Sequence, residues 1–159
     1  MLCRNSGSRP RRRGVDPTIG NNWHYAHAVR SRIIPDRTSN MEKELIKRIV
    51  RTPIMHRVVE HQGVAYFGGV IADNLVQSVG AQTREVLSKL DVLLREAGSG
   101  KDRLLSAQIF LADMNGKSAM NEAWQEWVDP QQLPARATIG VSDLGPGVLV
   151  EIVITAAVN

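Results

Sequence analysis

Hydrophobic patterning divides the chain. Residues 1–40 show neither a period of 2 nor one of 3.6, whereas regular patterning begins after Met41. His56–His61 and Val64–Ala72 are β-rich runs separated by Gln62-Gly63, a pair suited to a tight hairpin. Val79, Thr83, Val86, Leu87, Leu90, Leu93, Leu94 and Ala97 then recur at helical spacing. Gly98 follows where a left-handed cap is wanted. Arg103–Ala112 reads as a buried strand. A second helix is expected from about Lys117 to Val128, with Met120, Trp124 and Trp127 on one stripe, ended by Pro130 and Pro134. Arg136–Val141 and Val148–Val158 complete the pattern around the Gly145-Pro146-Gly147 turn. The order β-β-α-β-α-β-β predicts an α+β domain with helices on one face of a mainly antiparallel sheet.

Composition adds limits. The 159 residues suit one hydrophobic core, and no run approaches the length of about 20 apolar residues that a membrane-spanning helix needs. The single cysteine, Cys3, excludes an intramolecular disulfide and a cysteine-based metal site, and the cytosol is the default compartment. A formal charge of +4 would point to nucleic acid if it were spread over the fold, but residues 1–40 hold eight arginines against Asp16 and Asp36. Residues 41–159 carry 12 basic and 14 acidic groups, so the body has no overall attraction for phosphate backbones and nucleic acid is not expected as its partner. Residues 1–40 are read as a disordered extension. Pro10, Gly14, Pro17, Gly20 and Pro35 argue against an amphipathic transit peptide, and the change of composition suggests Met41 as the natural start, with a functional tail as the alternative.

One residue stands out chemically. Glu151 interrupts Val148-Leu149-Val150-Glu151-Ile152-Val153-Ile154, a run apolar at both parities that reads as a strand covered on both sides. A carboxylate there needs a partner or water to replace lost hydration. An ion pair or a position at the sheet rim would meet that need without any function. Arg136 is the natural partner to consider, because the short glycine-proline-glycine connection is expected to bring its strand beside that of Glu151. The pair reads equally as a structural salt bridge or as a cleft in which Arg136 grips a small carboxylate while Glu151 handles a water or a proton.

The segment Leu133-Pro134-Ala135-Arg136-Ala137-Thr138-Ile139-Gly140-Val141, followed by Val150-Glu151-Ile152, resembles the C-terminal signature of the RidA/YjgF family. Tyr66-Phe67-Gly68-Gly69, Glu96-Ala97-Gly98 and Met120-Asn121-Glu122-Ala123-Trp124 fall in order upstream, and the resemblance covers nearly all of residues 48–158. It implies the chorismate-mutase-like α+β fold, a homotrimer with clefts between subunits, and cofactor-independent hydrolysis of reactive imino and enamine acids such as 2-aminoacrylate and 2-iminobutanoate. Under it, Arg136 matches the arginine that grips the substrate carboxylate, Glu151 the glutamate that positions the water, and Asn121 a polar cleft residue. Gly68 and Thr138 stand at cleft positions where members often have serine and cysteine, and Met55 stands near a frequent tyrosine.

Two other functions fit the same clefts: an endoribonuclease or translation-inhibitor activity, and ligand sensing or holdase-like binding without turnover. The first is opposed by the charge of the body and the scarcity of aromatics for base stacking. His56 and His61 alternate with apolar residues without a second pair of ligands at metal spacing, so they are expected to face solvent. Trp124 and Trp127 are expected in the core or an interface. Gly68-Gly69 is too short for a phosphate loop, and Arg11-Arg12-Arg13 reads as a solvated tail.

Overall fold

A computed structural model of the chain describes residues 45–158. The expectations for residues 1–40 therefore lie outside the described residues. Six strands and two helices follow in the order β1 (Lys47–Arg51), β2 (His56–His61), β3 (Val64–Phe67), α1 (Val79–Glu96), β4 (Leu104–Leu111), α2 (Lys117–Trp127), β5 (Ala135–Gly140) and β6 (Val150–Ala157). They form one sheet ordered β1-β2-β3-β6-β4-β5, antiparallel except for the β4–β5 pair. The α+β class and the helix-covered sheet agree with the sequence pattern, and β1 is an additional edge strand.

Local chemistry sets the element ends. Gln62 and Gly63 both adopt positive φ, at 51° and 78°, which gives the β2–β3 hairpin the twist that its strands share. Ser78 caps α1 by accepting from the Ala81 amide. At the other end Gly98 has φ 68°, its N–H donates to the Arg95 carbonyl, and the Ser99 N–H reaches back to Leu94, which closes the helix as a Schellman turn. Gly98 carries that conformation at no steric cost.

The core lies between the sheet and the helices. Val86, Leu87, Leu90 and Leu94 of α1 and Met120 and Trp124 of α2 pack on Ala107, Ile109 and Leu111 of β4 and on Val150, Ile152 and Ile154 of β6. Along β6 the even residues are buried, while Glu151, Val153, Thr155 and Ala157 are only half-buried. Within one chain, then, β6 is covered on one face and open on the other. The open face is apolar in large part: Val59, Val64, Tyr66, Phe110, Ile139 and Val153 share it by strand parity.

The topology corrects one expectation. Arg136–Val141 and Val148–Val158 were expected as neighbouring strands, but β5 pairs with β4 in parallel and β6 pairs with the opposite edge of β4. The parallel neighbours β4 and β5 are joined through α2, and the segment after β5 crosses to the far side of β4 before β6 begins.

Candidate functional site

Arg136 and Glu151 stand on opposite faces of the sheet. Arg136 is in register with Ala107, whose partner on β6 is Ile154, and these share the helix-covered face. Glu151 is in register with Phe110 on the open face, about 10 Å further along β4. A salt bridge between them within one chain is excluded by this placement. The structure instead forms two separate groups of side chains.

The first group gathers at the β5 edge. Arg136 is exposed, donates from Nη2 to the Asn121 Oδ1 of α2 at 2.9 Å, and lays its guanidinium 5.3 Å from the centre of the Trp124 ring. A planar guanidinium so stacked and bonded is held in one orientation, while most of its five donors stay available. Thr138 follows on the same face of β5, half-buried. A groove of about 200 Å³ opens beside Arg136, lined by Trp124, Gln125, Val128, Leu133 and Pro134. The structure thus joins Arg136 to Asn121 by a hydrogen bond and places Thr138 two residues along the same face of β5.

The second group surrounds Glu151. Between Tyr66↔Thr155 and Val70↔Ile152 the β3–β6 register slips by one residue, a bulge that falls at Gly68-Gly69. Bulges re-aim the chain beside functional groups, and this one brings the Gly69 backbone against the Glu151 side chain so closely that a Cβ on Gly69 would overlap the carboxylate. Gly68 lies next to it, and its missing Cβ would sit 3.4 Å from the Met55 sulfur. Met55 is held by a turn in which the Thr52 hydroxyl accepts from the Met55 amide at 3.0 Å. Two departures from the family pattern, Gly68 and Met55, are therefore neighbours in space. No hydrogen bond or ion pair engages the Glu151 carboxylate among the described residues.

The segment that leads into the strand of Glu151 is tied down by a residue that sequence reasoning passed over. Gln82 of α1 is fully buried, and its amide nitrogen donates to the carbonyls of Leu75, Gln77 and Gly147 at 3.2, 3.3 and 2.9 Å. Its oxygen accepts from the Leu149 amide at 3.0 Å. One side chain thus ties the segment before α1 to the segment that enters β6 two residues before Glu151. A glutamine at a buried helical position was the available signal, as was a glycine pair inside a strand run for the bulge.

Other candidates resolve simply. His56 and His61 are half-buried rather than solvent-facing, and the His61 Nδ1 is enclosed without a partner. No group of metal-ligating side chains occurs among the described residues. Trp124 is in the core, and Trp127 is half-buried with its indole N–H on Asp91 at 3.0 Å. No helix among the described residues is long and apolar enough to cross a membrane.

Comparison with known proteins matches this geometry to a group of relatives. Residues 46–158 match the family described as Endoribonuclease L-PSP. A RutC family protein of Haemophilus influenzae is 43% identical over 112 residues, covering 70% of this chain and 97% of that protein. Among solved structures, a member of the YjgF protein family from Neisseria meningitidis superposes with a TM-score of 0.69 at 34% identity, covering 74% of this chain and 98% of that one. A member of the Rid protein family from Yersinia pestis superposes with a TM-score of 0.64 at 32% identity, covering 68% of this chain and 90% of that one.

Proposed function

The chain belongs to the YjgF/RutC/Rid family, and on that premise we propose that it hydrolyses small 2-imino acids to 2-keto acids and ammonia in clefts shared by neighbouring subunits of a homotrimer. The observation that carries this reading is the placement of Arg136 and Glu151 on opposite faces of one sheet. Each is the centre of an unfinished site: a preoriented guanidinium without a carboxylate, and a half-buried carboxylate without a partner. Copies arranged head to tail in a closed ring bring the Arg136 group of one subunit to the Glu151 group of the next, and bury the apolar open face while doing so.

The chemistry follows from the two groups. The substrate carboxylate docks on the Arg136 fork, which Asn121 and Trp124 hold in place. The Glu151 carboxylate accepts a hydrogen bond from a water and takes its proton as the oxygen adds to the electrophilic imine carbon. Return of that proton to nitrogen lets ammonia leave as the carbinolamine hydroxyl gives up its proton to Glu151, and the 2-keto acid remains. A protonated imine is already reactive, so positioning and one carboxylate are sufficient. The missing side chain at Gly68 and the neighbouring Met55 make this cleft less polar than one with serine and tyrosine, which favours substrates with hydrocarbon side chains.

The test is hydrolysis of 2-iminobutanoate generated in situ, measured together with melting temperature on the same samples. Arg136→Ala should abolish turnover in folded protein, because Arg136 is exposed and contributes little to the core. Arg136→Lys should restore only part of it, since an ammonium cannot reproduce the fork. Turnover unchanged in folded Arg136→Ala would overturn the assignment. Cleavage of single-stranded RNA in preference to imine would favour instead the activity that the family description names.

A further inference from the structure

A second small-molecule site has a lining that includes neither Arg136 nor Glu151. Between β1, β2 and the last turns of α1 is a groove of about 250 Å³ lined by Val50, Arg57, Val70, Lys89, Val92 and Leu93. Its origin is an irregular ladder. Ile49 pairs with Val58 and Arg51 with His56, but the pair between them, Val50 and Arg57, is skipped, and Val50 adopts φ 54°. That conformation is costly for a β-branched side chain, and its effect here is to leave both skipped residues lining the groove.

The walls and the rim differ in chemistry. Val50, Val70, Val92 and Leu93 make the walls apolar, and Val92 is left 44% exposed on a helix that otherwise buries its large aliphatic side chains. Arg57 and Lys89 supply the cations. Arg57 Nη1 donates to the Gly69 carbonyl at 3.3 Å, and Lys89 Nζ donates to the Ile71 carbonyl at 2.9 Å and to the Asp73 carboxylate at 2.7 Å. Asp73 balances one of the two charges. The exposed Lys89–Asp73 pair is of the kind that contributes little, so Lys89 is readily shared with a second anion. Most of the Arg57 fork is uncommitted to any carboxylate.

We propose that this groove binds a small amphipathic monocarboxylate, with the carboxylate between Arg57 and Lys89 and the hydrocarbon tail along Val50, Val70, Val92 and Leu93. The volume limits the ligand to a chain of about four to eight carbons. Charge complementarity selects an acid over the corresponding alcohol or amine, and the valine walls select a hydrocarbon tail over a hydroxylated one. The groove adjoins the Glu151 group, because Arg57 bonds the Gly69 carbonyl, but its ligand would touch neither Arg136 nor Glu151, so the proposal does not rest on the imine reading.

Hexanoate is the probe, titrated into the full-length chain carrying Arg136→Ala so that the catalytic cleft cannot bind it, with methyl resonances as the readout. Saturable shifts at Val50, Val70, Val92 and Leu93 are expected, with hexan-1-ol at least about tenfold weaker for want of the charged hydrogen bonds. Arg57→Gln should weaken hexanoate about tenfold, and Val92→Glu, a change at an exposed position that leaves the core intact, should abolish the shifts by placing a like charge in the groove. Shifts that do not saturate, that occur elsewhere, or that survive Val92→Glu would overturn the proposal. If the imine reading fails while these shifts persist, the groove stands by itself.

Discussion

Gly69→Ala separates the fold from the chemistry in one substitution. Gly69 is not among the glycines with positive φ, so alanine fits its backbone and gains about 0.4–1 kcal/mol from a less flexible unfolded chain. Its Cβ, however, would stand 2.7 Å from the Glu151 Cδ and would overlap the carboxylate, while the Glu151 Cγ at 3.2 Å is only tight. The carboxylate oxygen must therefore swing by about 1.5–2 Å to regain ordinary van der Waals separation. A rotamer displaced in this way costs about 0.5–1.5 kcal/mol, so stability should stay within about 1 kcal/mol of the parent. Misplacing a reacting group by about 1 Å costs about 100-fold in rate, near 2.7 kcal/mol of barrier. Single-turnover hydrolysis of 2-iminobutanoate and urea unfolding on the same samples measure both. In a Glu151→Ala background the alanine at 69 should have no further effect on the rate and should keep only the unfolded-chain gain of about 0.4–1 kcal/mol, because the obstructed group is gone. Full activity in Gly69→Ala, or an equal loss of rate in the Glu151→Ala background, would show that the contact does not place the carboxylate.

Three further outcomes are expected. Gln82→Leu leaves three carbonyls and one amide without their partner and should cost at least about 3 kcal/mol in urea unfolding; a loss under 1 kcal/mol would mean that water or relaxation replaces the network. Asn121→Ala frees the Arg136 fork to rotate and should raise KM about tenfold with little change in melting temperature, whereas a change in kcat alone would remove Asn121 from the carboxylate grip. Light scattering at micromolar concentration should return three times the monomer mass, and a monomer or dimer would remove the shared cleft.

The sequence was most legible where local periodicity and caps act. The Ser78 cap was not read, but both helices, the end of α1 at Gly98, and the Gln62-Gly63 hairpin follow from residues within a few positions of one another. Strand neighbours did not, because the pairing of β5 with β4 rather than β6 depends on contacts some thirty residues apart, which no periodicity records. The site divided in the same way. Arg136 and Asn121 were grouped by family resemblance and do meet, with Thr138 on the same face of β5 as Arg136. The separation of Arg136 from Glu151 was invisible, because it depends on which edge of β4 each strand takes. The half-burial of His61 was missed, and so was β1, whose Lys47-Arg48-Ile49-Val50-Arg51 run has no alternation to mark it as a strand. Gly69 was passed over because its importance lies in the side chain it admits.

Subunit mixing addresses the account most directly. Arg136→Ala and Glu151→Gln are each expected to be inactive, and each keeps the group that the other lacks. Unfolded together in equal amounts and refolded, they should form mixed trimers in which about a quarter of the clefts pair a native Arg136 with a native Glu151 from the neighbouring subunit. Hydrolysis of 2-iminobutanoate should then recover to about a quarter of the parent rate per cleft. Mixed trimers that assemble but stay as inactive as either variant alone would contradict the claim that the two residues act together across a subunit boundary.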